Sequence, residues 1–392
     1  MKALICGAGI AGLTLAWHLE RDGWEVKIVE RAPRFRKGGY MIDFYGPGME
    51  VADRMGLRPR IVRMRYPITE IEYVDHAGRK TSGVRITGEL AEQVFSLMRE
   101  DLAQAVHDDL RSPIVYETSV AGIEQNASGV TVQLTDGTVE TVDLLVGADG
   151  THSRVRELAF GPKERYLRYL GRQITVYTLR DERLSREIGT RYRTLTVPGL
   201  MTGAYALRDD SLAMLFLRRA SDPRPPADIA AELTRQYGHL GWILPEVLPR
   251  CPPADQLYHD QVNQVEMTEW SRGRVVLVGD ACQAVSLFAG HGASLAMAGA
   301  WVLADELRRA GDDPTGALLR YHARMAKAVA DTQRFGRSFI EWMAPSTRRR
   351  IVARDLLMRL AALPGGSRLL AGSLIPAGTD LITKRPDNRA GV

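Results

Sequence analysis

Six residues near the start of the chain, Gly7-Ala8-Gly9-Ile10-Ala11-Gly12, restrict what it can fold into more than any other segment. They follow an apolar run, Lys2 to Cys6, that reads as a buried strand, and they open a stretch, Ile10 to Arg21, of helical periodicity. Glu25 to Glu30 reads as the next strand, entered through a turn at Asp22-Gly23. In a strand–turn–helix–strand unit the first glycine permits a tight turn and the second lets backbone amides approach a pyrophosphate. The third lets helix and strand pack closely. Glu30, 18 residues beyond Gly12, is then placed to accept hydrogen bonds from a ribose, with Arg31 beside it. A carboxylate there would repel an NADP 2′-phosphate. The loop alone does not separate NAD from FAD.

A chain of 392 residues exceeds one ordinary core, so two domains are expected. Hydrophobic residues at 45% leave ample apolar material to line a pocket. The net charge of +5 is small for this length, and basic residues are dispersed apart from Arg348, Arg349 and Arg350, which argues against a nucleic-acid partner. Cys6, Cys251 and Cys282 lie far apart, so neither a disulfide framework nor a metal site is supported, and a reducing, cytoplasmic setting is expected. Ala3 to Leu19 imitates a signal-peptide core, but its glycine spacing reads as strand, turn and helix. No apolar run of about 18 residues suggests a transmembrane helix, and the arginine cluster reads as a solvated face rather than a membrane contact.

Further along, Arg99 to Leu110 has helical spacing, and Val130 to Leu134 with Val139 to Leu145 reads as a hairpin across Thr135-Asp136-Gly137. Between about Gly171 and Arg218 the pattern becomes β-type, as in Ile174 to Tyr177 and Leu212 to Phe216, and reads as a second sheet inserted into the first domain. Val275 to Val278 returns to a short apolar strand of the parallel kind, followed by a helix from roughly Ser294 to Arg309. The tail from Tyr321 to about Leu363 is helical with a break at Ala344 to Thr347, and residues from about Pro386 read as a loose terminus. The predicted fold class is therefore α/β, a discontinuous Rossmann-type nucleotide domain (1–66, 96–170 and 266–320) with an inserted β-sheet substrate domain (67–95 and 171–265) and a C-terminal helical segment (321–385).

Two later segments select the cofactor. Leu144 to Arg156 is a strand ending in Asp149-Gly150, and Gly273 to Ala281 is a strand ending in Gly279-Asp280. Either alone reads equally well as a plain turn. With both following the glycine loop in this order, the chain resembles, over nearly its whole length, the single-component FAD-dependent aromatic hydroxylases, the para-hydroxybenzoate hydroxylase-like flavoprotein monooxygenases. The segment Gly38 to Asp43 looks like that of the tetracycline-inactivating members.

The resemblance implies that Asp280 contacts the ribityl chain of FAD and that Asp149-Gly150 serves FAD and its reductant. It also implies that Arg99 packs near the flavin and that Asp43, the candidate catalytic residue, lies beside the ring. Read from the residues, Arg99 is equally a helix-start charge and Asp43 a turn-forming carboxylate. The helix after Gly290, Gly292 and Ala293 would point its positive end at the reduced flavin. NAD(P)H is expected as a transient reductant docking in a groove, with Arg34 or Arg36 as candidate phosphate ligands. O₂ would give a flavin C4a-hydroperoxide that oxygenates an aromatic or polycyclic small molecule. The alternative is a flavin oxidoreductase without oxygen insertion. Tyr177, Tyr192, Tyr205, Phe216 and Phe288 are candidates for the pocket lining, although strand aromatics are often simply core. A monomer or homodimer is expected. The chain departs from the family at Gln283 and Leu287, where a histidine and a proline are usual, and at Ser294 in place of an asparagine.

Overall fold

The computed structural model describes residues 1–35, 40–311, 314–361 and 381–382. Arg36, the glycines Gly38 and Gly39, and the terminus beyond Pro386 lie outside them. The first strand, Lys2–Cys6, is buried almost throughout because its neighbours cover both edges and helices cover both faces. It pairs in parallel with Glu25–Val29 on one side and Leu144–Gly147 on the other. The full sheet runs Ser271–Arg272, Val275–Leu277, Leu144–Gly147, Lys2–Cys6, Glu25–Val29, Ile114–Val115.

The helix Ile10–Arg21 follows the glycine loop and buries Leu13, Leu15 and Leu19, each worth about 1.5–3 kcal/mol. It stops where Gly23 takes φ +82° and the Trp24 amide donates back to Leu19 O at 3.0 Å. Against it packs the helix Gly292–Ala310, which in turn contacts Pro47–Arg54 and the long helix Pro314–Met343.

The second sheet has seven strands, in the order Tyr258–Val265, Leu167–Arg180, Ser211–Arg219, Leu200–Ala206, Arg191–Val197, Glu70–Val74, Lys80–Arg85. All pairings are antiparallel except that of Arg191–Val197 with Glu70–Val74. Its two faces differ in what they meet. Ile174, Val176, Met201, Leu215 and Leu217 pack toward Phe288 and Ile340 of the nucleotide side. Tyr177, Leu179, Met214 and Phe216 pack outward against Leu184, Leu233, Tyr237 and Leu244. This period-two alternation makes the sheet a roof with one face to the body of the molecule.

The single hairpin expected over 130–145 divides in two. Val130–Leu134 pairs antiparallel with Val139–Val142 on one side and Val120–Gln125 on the other in a small sheet, whereas Leu144–Gly147 belongs to the parallel sheet. Asp143 makes the change of direction, donating its amide to Lys2 O at 2.9 Å and accepting the Lys2 amide at 2.7 Å. The C-terminal helices end and restart at the expected break, Pro314–Met343 and then Arg348–Ala361.

Candidate functional site

A cavity of about 390 Å³ lies between the parallel sheet and the roof. The glycine loop forms one end of it. Gly7 has φ +113°, and a Cβ there would sit 2.4 Å from Ala148 O; a Cβ on Gly12 would sit 2.0 Å from Gly7 O. Both glycines therefore bring the helix onto the strand ends. Gly9, Ile10 and Ala11 line the cavity itself. Gly9 is the N-cap of the helix and no side chain caps it, so the first amides of this helix stand ready for an anion.

Glu30, expected to meet a ribose, is absent from the cavity lining and is engaged within the chain. Its carboxylate accepts the Ala8 amide at 2.9 Å and the Ala32 amide at 2.8 Å, which braces the glycine loop against the end of the second strand. Arg31 is exposed and lies outside the cavity lining.

The two acidic turns divide their work. Asp280 lines the cavity; burial raises its pKa and the neighbouring Arg99 guanidinium opposes that rise. Asp149 turns away and accepts from Ser153 Oγ and from the Arg154 and Val155 amides at 2.6 and 3.1 Å, so its carboxylate starts the helix Arg154–Phe160. What faces the cavity from this turn is Ala148, Gly150 and Thr151. Arg156, fully buried, ties the two turns together by donating to Thr151 O and Ala281 O, both at 2.8 Å. Sequence reasoning passed over this residue, although a wholly buried arginine needs carbonyl or acid partners and two such turns supply them.

At the other end, Gly290, Gly292 and Ala293 line the cavity ahead of the helix Gly292–Ala310, which also has no side-chain cap. His291, between them, turns its ring edge onto Tyr45 with centroids 4.3 Å apart, and burial lowers its pKa to about 4. Ser294, where the family has an asparagine, donates to Tyr45 O and accepts the Gly48 amide at 2.8 Å, so it fastens this helix to the segment before Pro47–Arg54.

Arg99 lines the cavity where Phe95–Met98 meets its helix; that strand pairs with Met41–Phe44, setting Asp43 directly opposite Ser96. Ser96 Oγ donates to Asp43 Oδ1 at 2.6 Å. The Asp43 carboxyl is open to the cavity yet enclosed by protein, and burial raises its pKa more than the serine lowers it.

Of the five expected aromatics, Tyr192 and Phe288 line the cavity. Tyr205 lies one layer behind, stacked on Tyr192 with centroids 5.6 Å apart, and accepts the Met41 amide at 2.9 Å. Tyr177 and Phe216 are a correction: they stack on each other at 5.5 Å on the outer face of the roof, where Tyr177 donates to Val247 O. Composition marks aromatic strands but not which face a residue takes. Part of the lining was not anticipated, including Ile68, Ile71, Tyr73, Val84 and Ile86 from the edge of the roof, and Phe339, Trp342, Met343 and Met358 from the terminal helices.

An FAD-sized dinucleotide fits this surface at its glycines: a Cβ added at Gly150 or Gly292 would meet nothing within 4 Å, and one at Gly9 only Arg99 Nη2 at 3.9 Å. The FAD binding domain family model matches residues 1–335. The chain belongs to the FAD-dependent aromatic hydroxylase-like family. FAD is the cofactor of this family, and the protein is a flavin-dependent monooxygenase.

Its relatives include the uncharacterised protein Rv1260 of Mycobacterium tuberculosis (strain ATCC 25618 / H37Rv), 33% identical over 341 residues, covering 84% of this chain and 91% of that one. A flavin-dependent monooxygenase of Legionella longbeachae is 30% identical over 349 residues, 86% of this chain and 88% of the relative. Among solved structures, the tetracycline destructase Tet(55) superposes with a TM-score of 0.79 at 29% identity, covering 91% and 94% of the two chains. HpxO of Klebsiella pneumoniae, solved with FAD and uric acid, shares the fold at a TM-score of 0.78 and 23% identity, with 95% and 96% covered. No helix among the described residues is long and apolar enough to cross a membrane.

Proposed function

We infer that this flavoprotein monooxygenase uses NAD(P)H and O₂ to oxygenate an aromatic or polycyclic small molecule in the chamber beneath the roof sheet, as a cytoplasmic monomer or homodimer. One observation carries the reading: a single cavity joins two uncapped helix starts, at Gly9 and His291, to an apolar chamber onto which the enclosed Asp43 carboxyl opens. When bound, FAD reduced by the nicotinamide supplies activated oxygen. Everything else is asked of the chain.

The amides from Gly9 to Ala11 and the start of their helix would hold the pyrophosphate, as anion sites at helix starts do. Glu30 keeps that loop in place, and Asp280 with Arg99 would face the sugar-alcohol portion. Amides from Gly290 to Ala293 and the positive end of Gly292–Ala310 would stabilise negative charge on the ring. Ile71, Val84, Ile86, Phe339, Trp342 and Met358 exclude water. Asp43 is the group placed to accept the proton of a phenol or enol. Burial holds its pKa above that of a free carboxyl, which makes it a better base once ionised.

The test is incorporation of labelled oxygen. Purified holoenzyme given NADPH or NADH, ¹⁸O₂ and a panel of phenolic bicyclic and tetracyclic compounds is expected to give at least one product heavier by one labelled atom. Substrate-stimulated flavin reduction with unlabelled dehydrogenated product throughout the panel would support the oxidoreductase reading instead.

A further inference from the structure

We propose that Tyr192 is a specificity-determining hydrogen-bond donor that works beside Asp43, so that the site selects phenols or enols carrying a second, carbonyl oxygen. This rests on the reading of the chamber as the substrate site.

Tyr192 lines the cavity, and among the described residues its hydroxyl makes no hydrogen bond with another protein group. The hydroxyl nevertheless has a built seat. It lies over Gly203 on the neighbouring strand, where a Cβ would come within 2.4 Å of Oη and 2.8 Å of Cζ. The ring is stacked nearly parallel to Tyr205, interplanar angle 19°. Tyr205 is in turn fastened to the Met41 amide, two residues before Asp43 on the same strand. This chain of contacts places Tyr192 and Asp43 at one end of the chamber, and the Asp43 charge is among the causes that, after burial, raise the Tyr192 pKa. The phenol therefore stays protonated and donates, whereas Asp43, with Oδ1 taken by Ser96, keeps Oδ2 as an acceptor. Beside Tyr192 on the same face of the roof the lining is aliphatic: Ile71 is its register partner and Val84 the next along, with Ile68, Ile86 and Val94 also in the cavity lining. One acceptor and one donor bordered by an apolar strip match a flat skeleton with a hydroxyl and a carbonyl on one edge. A buried donor left unpaired by a ligand lacking the carbonyl costs affinity, which is how such sites discriminate.

The test measures binding to the FAD-loaded protein through perturbation of the flavin absorbance, so it stays readable even if oxygen insertion fails. The probes are 8-hydroxy-1-tetralone, 5,6,7,8-tetrahydro-1-naphthol, which lacks the carbonyl, and 1-tetralone, which lacks the hydroxyl. Wild type is expected to bind the hydroxyketone about tenfold more tightly than either single-function probe. Tyr192→Phe is expected to erase the advantage over the naphthol while leaving naphthol affinity within about twofold. The flavin spectrum of the variant without probe checks that the site remains intact. Equal loss for all three probes in Tyr192→Phe, an unchanged ratio, or no response to any probe in the wild type would overturn the proposal.

Discussion

Asp43 carries opposite demands of function and stability. Its folded pKa stands above that of an unfolded-chain carboxyl near 3.9. The native state therefore holds a proton more tightly, and this contribution is present below the unfolded value and lost as pH rises through the folded one. Asp43→Asn, which can still accept from Ser96, is expected to melt no lower than wild type at neutral pH, while the wild type recovers ground toward pH 4. Product formation is expected to fall about 100-fold. Thermal melts across pH, paired with turnover, check both halves. Gly12 makes a purely steric demand: a Cβ 2.0 Å from Gly7 O has no flexible neighbour to displace. Gly12→Ala is expected to cost roughly 3 kcal/mol and to yield protein that purifies without flavin colour.

Single helices and turns position the site through their ends. The helix Gly292–Ala310 begins at a buried, neutral histidine, because its start must stay free of capping side chains to serve the cavity. With a folded pKa of about 4 against an ordinary 6.5, His291 contributes stability that is complete above the unfolded value. That contribution is lost as pH falls toward 4, by an amount on the order of 3 kcal/mol. His291→Gln should flatten the fall in melting temperature between pH 7 and pH 5; an unchanged slope would contradict the assignment. The turns at Thr151 and Ala281 depend on one guanidinium. Arg156→Met leaves the buried Ala281 carbonyl and the half-buried Thr151 carbonyl without their donor. It is expected to cost roughly 3 kcal/mol and to weaken FAD binding at least tenfold, read by titrating apoprotein with FAD.

The whole molecule closes its chamber by bringing together parts far apart in the chain. The terminal helix Arg348–Ala361 contributes Met358 to the lining and is tied down by Arg354. That guanidinium sits 3.8 Å over the Tyr73 ring of the roof and donates to Met343 O at 3.3 Å and to Thr196 Oγ1 at 3.4 Å. Arg172, nearly buried in the roof, meets Glu341 of the long helix at 3.1 Å, and Glu341 also accepts the Ser346 amide and Arg350. Arg354→Met is expected to lower global stability by only about 1–2 kcal/mol. It should also open the 344–347 break to limited proteolysis and leave FAD bound, since Arg354 touches none of the residues proposed to hold the cofactor.

The nucleotide unit was legible from sequence because its signals are local: strand, glycine spacing and helix fall within 30 residues, and Gly7 and Gly12 each answer a steric need of their neighbours. The terminal helices and their break were equally local. Two features were not. The direction change at Asp143 depends on Lys2, 141 residues away, so a run that looked continuous serves two sheets. The faces of the roof strands were hidden because Tyr177 and Tyr192 have the same residue type, and only the sheet's placement over the body puts one outside and the other in the chamber. Sequence determined the glycine loop because its geometry is made by adjacent residues. Tertiary structure decided the apolar chamber because its wall is assembled from segments that meet only after both sheets and the tail have packed.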